Sequence, residues 1–322
     1  MHELGPEPNF NESMYFNAYD PNARLGGFFR LGNRANEGTG EMTICLYLPD
    51  GRVAFMFGRP QVTTNDAFDA AGMRFDVITP FIELGVRFEG SVVLLNDPLE
   101  MADPRKAFTS NPRTECAVQL VYRGSSQMFG GEPDQPTERP GEEFARGHYE
   151  QLVAASGTVQ VGDERWELNG FGLRDHSWGP RYWQAPWYYR WLTGNVGADF
   201  GFMGSRIARR DGPGTRGGFV WDGDALHLCH DFSIRSTWEG DGQYHRSIEA
   251  EFVTDHRTWL VRGSVLNLIP LRNRRRDPDD NELVTRISEG LTQWTLEDGR
   301  VGYGLSEYLD QIIEGRPVGL DE

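Results

Sequence analysis

The chain has 322 residues, 38% of them hydrophobic and 25% charged, enough apolar matter for a sizeable core, which excludes a disordered tail and a fibre. Acidic residues outnumber Lys and Arg by 48 to 32, a formal charge of -16, and such a surface repels phosphate backbones and anionic lipid headgroups. Nucleic acid is not an expected partner.

The chain opens Met1-His2-Glu3-Leu4-Gly5-Pro6, without the basic and apolar regions of a secretory signal, and no run of about 18 apolar residues follows. A cytoplasmic protein without membrane insertion is expected. From there a hairpin grammar repeats: an apolar or alternating run, an Asp-Gly or Gly-Asp pair, and a second run. Thr43 to Leu48 turns at Asp50-Gly51 into Val53 to Phe57, and Arg74 to Leu95 reads as two or three strands broken by Pro80 and Gly90. Residues 124–143, rich in Gly, Pro and acidic side chains, read as a linker. They divide an N-terminal β domain, 1–143, from a C-terminal one, 144–322.

Glu142 to Leu152 carries Phe144, His148 and Leu152 at helical spacing, the best helix candidate in the chain, although Gly147 interrupts it. Further hairpins are expected at Gly162-Asp163, Asp222-Gly223 and Asp298-Gly299, with a long antiparallel pair over Ile248 to Leu268. Leu271 to Asp280, basic and then acidic, reads as a solvated loop. Tyr308 to Ile313 fits either a helical turn or the tail of a strand. Gly212 to Gly217 matches Gly-x-Gly-x-x-Gly by letter but leads into a strand-like run, so it reads as a loop. The hexapeptides Leu48 to Val53 and Leu296 to Val301 share Asp-Gly-Arg and hint at a duplicated β unit.

Three cysteines, Cys45, Cys116 and Cys229, are widely spaced, which points to neither a disulfide framework nor a thiolate zinc site. Lys106 is the single lysine, and nothing around it suggests the burial that Schiff-base chemistry needs. A metal site is the rival chemistry. His227, Cys229 and Asp231 alternate along one strand with His230 opposite, and His245 or His256 would have to complete the set across a hairpin.

The least generic stretch is Gly170 to Trp191. It holds Arg174, Asp175, His176, Ser177 and Arg181 among Trp178, Tyr182, Trp183, Trp187, Tyr188, Tyr189 and Trp191, four of the nine tryptophans. An acid, an imidazole and aromatic faces together transfer protons in an apolar pocket and stabilise a developing cation. On a regular strand Arg174, His176 and Trp178 point to one side and Asp175 and Ser177 to the other. Asp175 and His176 then do not share a pocket, and spacing leaves open which of them meets a ligand. The alternative is packing: Asp175 pairs with a buried arginine, His176 with a carbonyl, and the rings fill core. Glu307 is a further candidate carboxyl, with a solvent-facing strand position as its alternative.

Gly-x-x-x-Arg-Asp-His-Ser-Trp-Gly-x-Arg, Gly170 to Arg181, resembles the signature of the carotenoid 1,2-hydratase and AttH-like group. So does the C-terminal order of Glu289-Gly290, Asp298-Gly299-Arg300 and Gly302 to Glu307. The resemblance spans roughly residues 150–310 in motif order. It implies an all-β fold of two lipocalin-like antiparallel barrels or half-barrels packed together, and water addition or cyclisation without a redox cofactor. It places Asp175 and His176 at the Asp-His positions and Trp178 at the aromatic one. The Trp and Tyr run from Tyr182 to Trp191 departs from the carotenoid hydratases.

The expectation is therefore a cofactor-independent lyase, hydratase or cyclase acting on a hydrophobic unsaturated small molecule. Asp175 or His176 moves the proton, Arg174 and Arg181 orient a polar group, and Trp178, Tyr182, Trp183, Trp187 and Glu307 contact the substrate. A lipocalin-like protein that binds a hydrophobic ligand without changing it is the alternative.

Overall fold

The structure is a computed structural model that describes residues 1–134, 142–277 and 279–320. It is all-β and divides into two compact units, Met1–Glu100 with Pro104–Tyr182, and Met101–Asp103 with Trp183–Glu322. No described helix is long and apolar enough to cross a membrane.

The first unit contains β1 (Phe10–Asp20), β2 (Leu25–Arg34), β3 (Thr39–Tyr47), β4 (Val53–Gly58), β5 (Phe68–Ala70), β6 (Met73–Thr79) and β7 (Glu83–Leu95). After a short helix, α1 (Pro104–Ser110), come β8 (Arg113–Gly124), β9 (Phe129–Gly131), β10 (Gly147–Val161) and β11 (Glu164–Pro180). The ladder β4-β3-β2-β1-β11-β10-β8-β7 closes into a ring of eight antiparallel strands, because the end of β7 pairs back onto β4. Phe16, Phe29, Ile44, Ala54, Phe88, Leu120, Val153 and Leu168, one from each ring strand, share one buried core.

The second unit contains β12 (Tyr188–Gly197), β13 (Phe200–Ala208), β14 (Thr215–Trp221), β15 (Leu226–Glu239), β16 (Tyr244–Thr254), β17 (Thr258–Arg276), β18 (Glu282–Leu296), β19 (Val301–Ile313) and β20 (Arg316–Pro317). The first eight pair in sequence order, and β12 closes on β19. Closure removes the exposed edges that a long antiparallel sheet would otherwise present. Phe202, Phe232, Phe252, Trp294 and Tyr308 anchor its core.

The four hairpin turns lie where the Asp-Gly and Gly-Asp pairs are. The two Asp-Gly-Arg turns are built alike. Leu48 N–H donates to Arg52 O and Gly51 N–H to Leu48 O, and the same pair of bonds links Leu296 with Arg300 and Gly299. In both, the Asp side chain accepts from the backbone N–H and the guanidinium of the following Arg. Gly51 and Gly299 have φ of 91° and 85°, left-handed backbone that glycine adopts without strain.

Several expectations are corrected. The helix over Glu142 to Leu152 is absent, and β10 begins at Gly147 instead. Residues four apart share a face in a strand as well as in a helix, so the spacing of His148 and Leu152 did not discriminate. The paired partner β11 decides, matching β10 residue by residue from Gly147↔Trp178 to Val161↔Glu164. The division between units follows Tyr182, not residue 143, because β10 and β11 complete the first ring between β8 and β1. Gly90 does not break β7. Leu271 to Arg276 is no loop but the end of β17, laddered to β18 as far as Arg276↔Glu282. Tyr308 to Ile313 is the tail of β19. The linker expected at 124–143 contains β9, and its residues 135–141 lie outside the described residues.

Candidate functional site

In β11 the alternation holds through the motif. His176 lies opposite Met14 and Arg174 opposite Phe16, and both partners belong to the ring's core, so Arg174, His176 and Trp178 face the interior. From β10, Tyr149 faces them, directly opposite His176. Glu12 enters from β1, opposite Trp178.

These groups form one connected chain. His176 Nε2 lies 2.8 Å from Glu12 Oε1, and His176 Nδ1 lies 2.9 Å from the Tyr149 hydroxyl. Glu12 also accepts from the backbone N–H of His2 at 3.0 Å, from the His2 ring at 2.9 Å and from Asn65 Nδ2 at 2.5 Å. Burial alone would raise its pKa, but the bonds from His176, His2 and Asn65 prevail and hold it down at about 2. A carboxylate accepts only, so His176 Nε2 carries the hydrogen and Nδ1 accepts from the Tyr149 O–H. Burial holds the His176 pKa below its usual value despite Glu12, which keeps the imidazole neutral near pH 7.

Arg174 completes the chain. Its Nη1 donates to the Tyr149 oxygen at 3.3 Å, and its guanidinium sits 4.5 Å from the centre of the Tyr149 ring and 5.3 Å from that of Phe81. Arg174 is buried, and no carboxylate forms an ion pair with it among the described residues. Trp178 packs edge-on to His176, stacks on His2 at 3.8 Å and donates from its indole N–H to Glu132 at 2.9 Å. Gly147 leaves room for that ring, because a Cβ there would run into the indole.

Asp175 lies on the opposite face of β11, opposite Tyr15 and Glu150, and pairs with His148. Burial lowers the His148 pKa, but the charges of Asp175 and Glu150 outweigh it and push it up to about 9, while Asp175 is held below its ordinary value. NMR titration should find His148 protonated through neutrality and deprotonating near pH 9. In Asp175→Asn the midpoint should fall toward 6.5, and an unchanged midpoint would show that the pair does not set it.

The structure therefore brings together Arg174, His176 and Trp178 and separates Asp175 from them. Arg181 is buried beside Ser177, donating to its hydroxyl at 2.8 Å and to Phe144 O at 3.0 Å, and burial brings its pKa down to about 10. Tyr182 ends the first unit. Trp183, Trp187 and Glu307 belong to the second, where Trp187 carries the Arg210 guanidinium on its ring and Glu307 accepts from the Tyr189 hydroxyl. Glu12, Asn65 and Tyr149 escaped the sequence reading. Tyr149 stood inside the expected helix, and Glu12 and Asn65 are distant in sequence from the motif that they meet.

Two sets of three side chains bring one ligand atom each within 4.8 Å of one another, His2 with Glu12 and His176, and His148 with Glu150 and Asp175. Both offer donors that suit a divalent first-row metal. In the first set both imidazoles are already hydrogen-bonded to Glu12. The set expected on β15 does not assemble. An irregularity between Cys229 and Asp231 breaks the alternation, His227 pairs with Asp222, Asp231 pairs with Arg216, and burial pushes the Cys229 thiol up to about 12.

The fold is shared with solved structures of low sequence identity. One is a protein of Nitrosomonas europaea described as a candidate AttH, with TM-score 0.61 and 13% identity over 93% of this chain and 92% of that one. CghA, solved with Sch210972, gives 0.54 and 13% over 94% and 88%. Kievitone hydratase from Nectria haematococca gives 0.54 and 10% over 92% and 88%. No curated protein matches the chain in sequence. Residues 1–312 match the family model described as a domain of unknown function, DUF7064, and the chain belongs to that family.

Proposed function

We propose that the chain is a hydratase or cyclase that moves protons with its own side chains on a hydrophobic, unsaturated small molecule. The observation that carries this reading is the chain Glu12, His176, Tyr149 and Arg174 inside the first ring. It has the logic of a carboxylate–imidazole–hydroxyl triad, with a phenol as the terminal group. Glu12 orients His176 and stabilises the imidazolium, as a buried carboxylate does behind a catalytic histidine. The Tyr149 hydroxyl passes its proton to His176 Nδ1, and the phenolate oxygen so formed takes a proton from water or from a ligand hydroxyl. Arg174, with no carboxylate partner among the described residues, stabilises the phenolate charge meanwhile. The reverse transfer delivers the proton to the product. Among residues named from the sequence, His176 is the proton carrier in this reading and Asp175 is not.

Trp178, Phe68 and Phe81 supply apolar faces beside these groups, which suits terpenoid, steroid, polyketide or aromatic substrates. The fold shared with kievitone hydratase supports the class of reaction.

Incubation with a panel of such compounds, read by chromatography with mass detection, should reveal either the gain of one water or an isomer of altered retention. Tyr149→Phe keeps the ring and removes the transferable proton, so turnover should fall roughly 100-fold, while Asp175→Asn should lose far less. A ligand bound and returned unchanged by the wild-type chain would make this protein a binder, and full activity in Tyr149→Phe would remove the relay from the mechanism.

A further inference from the structure

The second ring has a polar end of its own, which the proton relay does not use. On β18, Trp294 lies in the core, so Thr292, Gly290, Ser288 and Arg286 share its inward face. Tyr308, opposite Ser288 on β19, also lies in that core. His245 joins them through a register shift. Ser247 pairs with Thr237 but His245 pairs with Trp238, so Arg246 is an extra residue, and the bulge turns His245 to the same side as Ile248. Its ring stacks on Tyr308 at 3.8 Å between ring centres.

Three buried atoms here have no hydrogen-bond partner among the described residues: His245 Nδ1, Arg286 Nε and the Ser288 hydroxyl. His245 and Ser288 are 2% and 1% exposed. Their neighbours are fully engaged. The Arg286 terminal nitrogens donate to the carbonyls of Gly242 and Gln243, the residues that lead into His245. Thr292 donates to Gly290 O at 3.1 Å, the Ser306 hydroxyl lies 2.7 Å from Thr292 Oγ1, and His245 Nε2 lies 2.9 Å from Ser306 Oγ. The Ser306 hydroxyl also lies 3.3 Å from Gly290 O, and when it donates there or to Thr292, His245 Nε2 donates to Ser306 Oγ. That assignment leaves Nδ1 as an acceptor. Arg286 is hydrogen-bonded to Tyr244, and the nearest carboxylate that acts on it, Asp310, is already paired. Arg190 is matched by Asp310, whereas Arg286 forms no ion pair within 4 Å among the described residues. Buried polar atoms in a folded protein are nearly always satisfied, and a donor from arginine, a hydroxyl and an imidazole acceptor on one inward face offer bonds that a ligand can complete.

We propose that the inward face around His245, Arg286 and Ser288 binds a small monoanionic carboxylate that carries a neighbouring hydroxyl. The carboxylate accepts from Arg286 Nε–H and the Ser288 O–H, and the ligand hydroxyl donates to His245 Nδ1. The anion balances the second arginine. This site is in the second unit and does not rest on the proton-transfer reading.

The probe is glycolate, the smallest hydroxycarboxylate, added to the whole protein with its histidine rings labelled with nitrogen-15. Glycolate should bind saturably and shift the His245 Nδ1 resonance, and acetate, which lacks the hydroxyl, should bind more weakly and leave that resonance nearly in place. Ser288→Ala removes a hydroxyl that supports nothing else in the fold, so the urea midpoint should hold while glycolate affinity falls at least about tenfold. An unmoved His245 resonance, equal affinity in Ser288→Ala, or a crystal soaked in glycolate that shows only ordered water at these atoms would overturn the proposal.

Discussion

Replacing Glu12 by alanine should lower the unfolding free energy of the first unit by about 3–5 kcal/mol at pH 7, the usual cost of removing one partner from a buried charged network. Glu12 is fully buried and accepts from His176, His2 and Asn65, so its loss strands several donors at once. The acid dependence follows from the same bonds. A carboxyl whose pKa falls from 4.5 to about 2 on folding adds stability in full above pH 4.5, and loses it as pH falls toward 2. The amount at stake is about 3 kcal/mol. Neutral, buried His176 acts in the same direction, since the unfolded chain binds its proton more readily. Urea unfolding followed from pH 7 to pH 3 should therefore show a smaller acid loss in Glu12→Gln than in the wild type. A cost below about 1 kcal/mol for Glu12→Ala would mean that the network does not hold this end of the ring together.

The second ring should respond as strongly to Arg190→Met. Arg190 and Asp310 are both buried, joined by two N–H···O bonds of 3.1 Å, and Arg190 also donates to Gly319 O at 2.6 Å. Its guanidinium lies 4.4 Å from the Tyr308 ring centre and 4.8 Å from that of Tyr188. Methionine fills much of the same volume but leaves Asp310 as an uncompensated buried charge, at a cost of about 3–5 kcal/mol. The Gly319 N–H, which donates to Asp310 at 2.9 Å, offsets only part of it. The double variant Arg190→Met/Asp310→Leu should recover most of the loss, because two apolar side chains avoid the desolvation of both ions. If the double variant is no more stable than the single one, the cost lies in packing against the aromatic rings and not in the stranded charge.

The turns were legible because their chemistry is local. Asp-Gly and Gly-Asp pairs whose glycine takes positive φ mark hairpins whatever surrounds them, and the four that were expected are present. The face of β11 that carries Arg174, His176 and Trp178 was legible for a similar reason, since strand alternation is strict where no bulge intervenes. Where a bulge does intervene the pattern misleads. The extra residue at Arg246 turns His245 inward, and the irregularity between Cys229 and Asp231 disperses the expected metal ligands. Phe144, His148 and Leu152 misled differently, because a four-residue spacing is compatible with both helix and strand.

By itself, then, the amino-acid order determined an all-β chain, the position of its hairpins and the stretch that bears the ionisable and aromatic side chains. All of these follow from interactions between residues close in sequence. The partners of that stretch were decided by tertiary structure alone. Glu12 meets His176 across 164 residues, and Asn65 meets Glu12 across 53, only because β1 pairs with β11 and the ring closes. Closure also moved the boundary between the units to Tyr182, since β10 and β11 find their hydrogen-bonding partners in β8 and β1. Strand pairing is a non-local satisfaction of backbone groups, and neither composition nor periodicity records which strand supplies it.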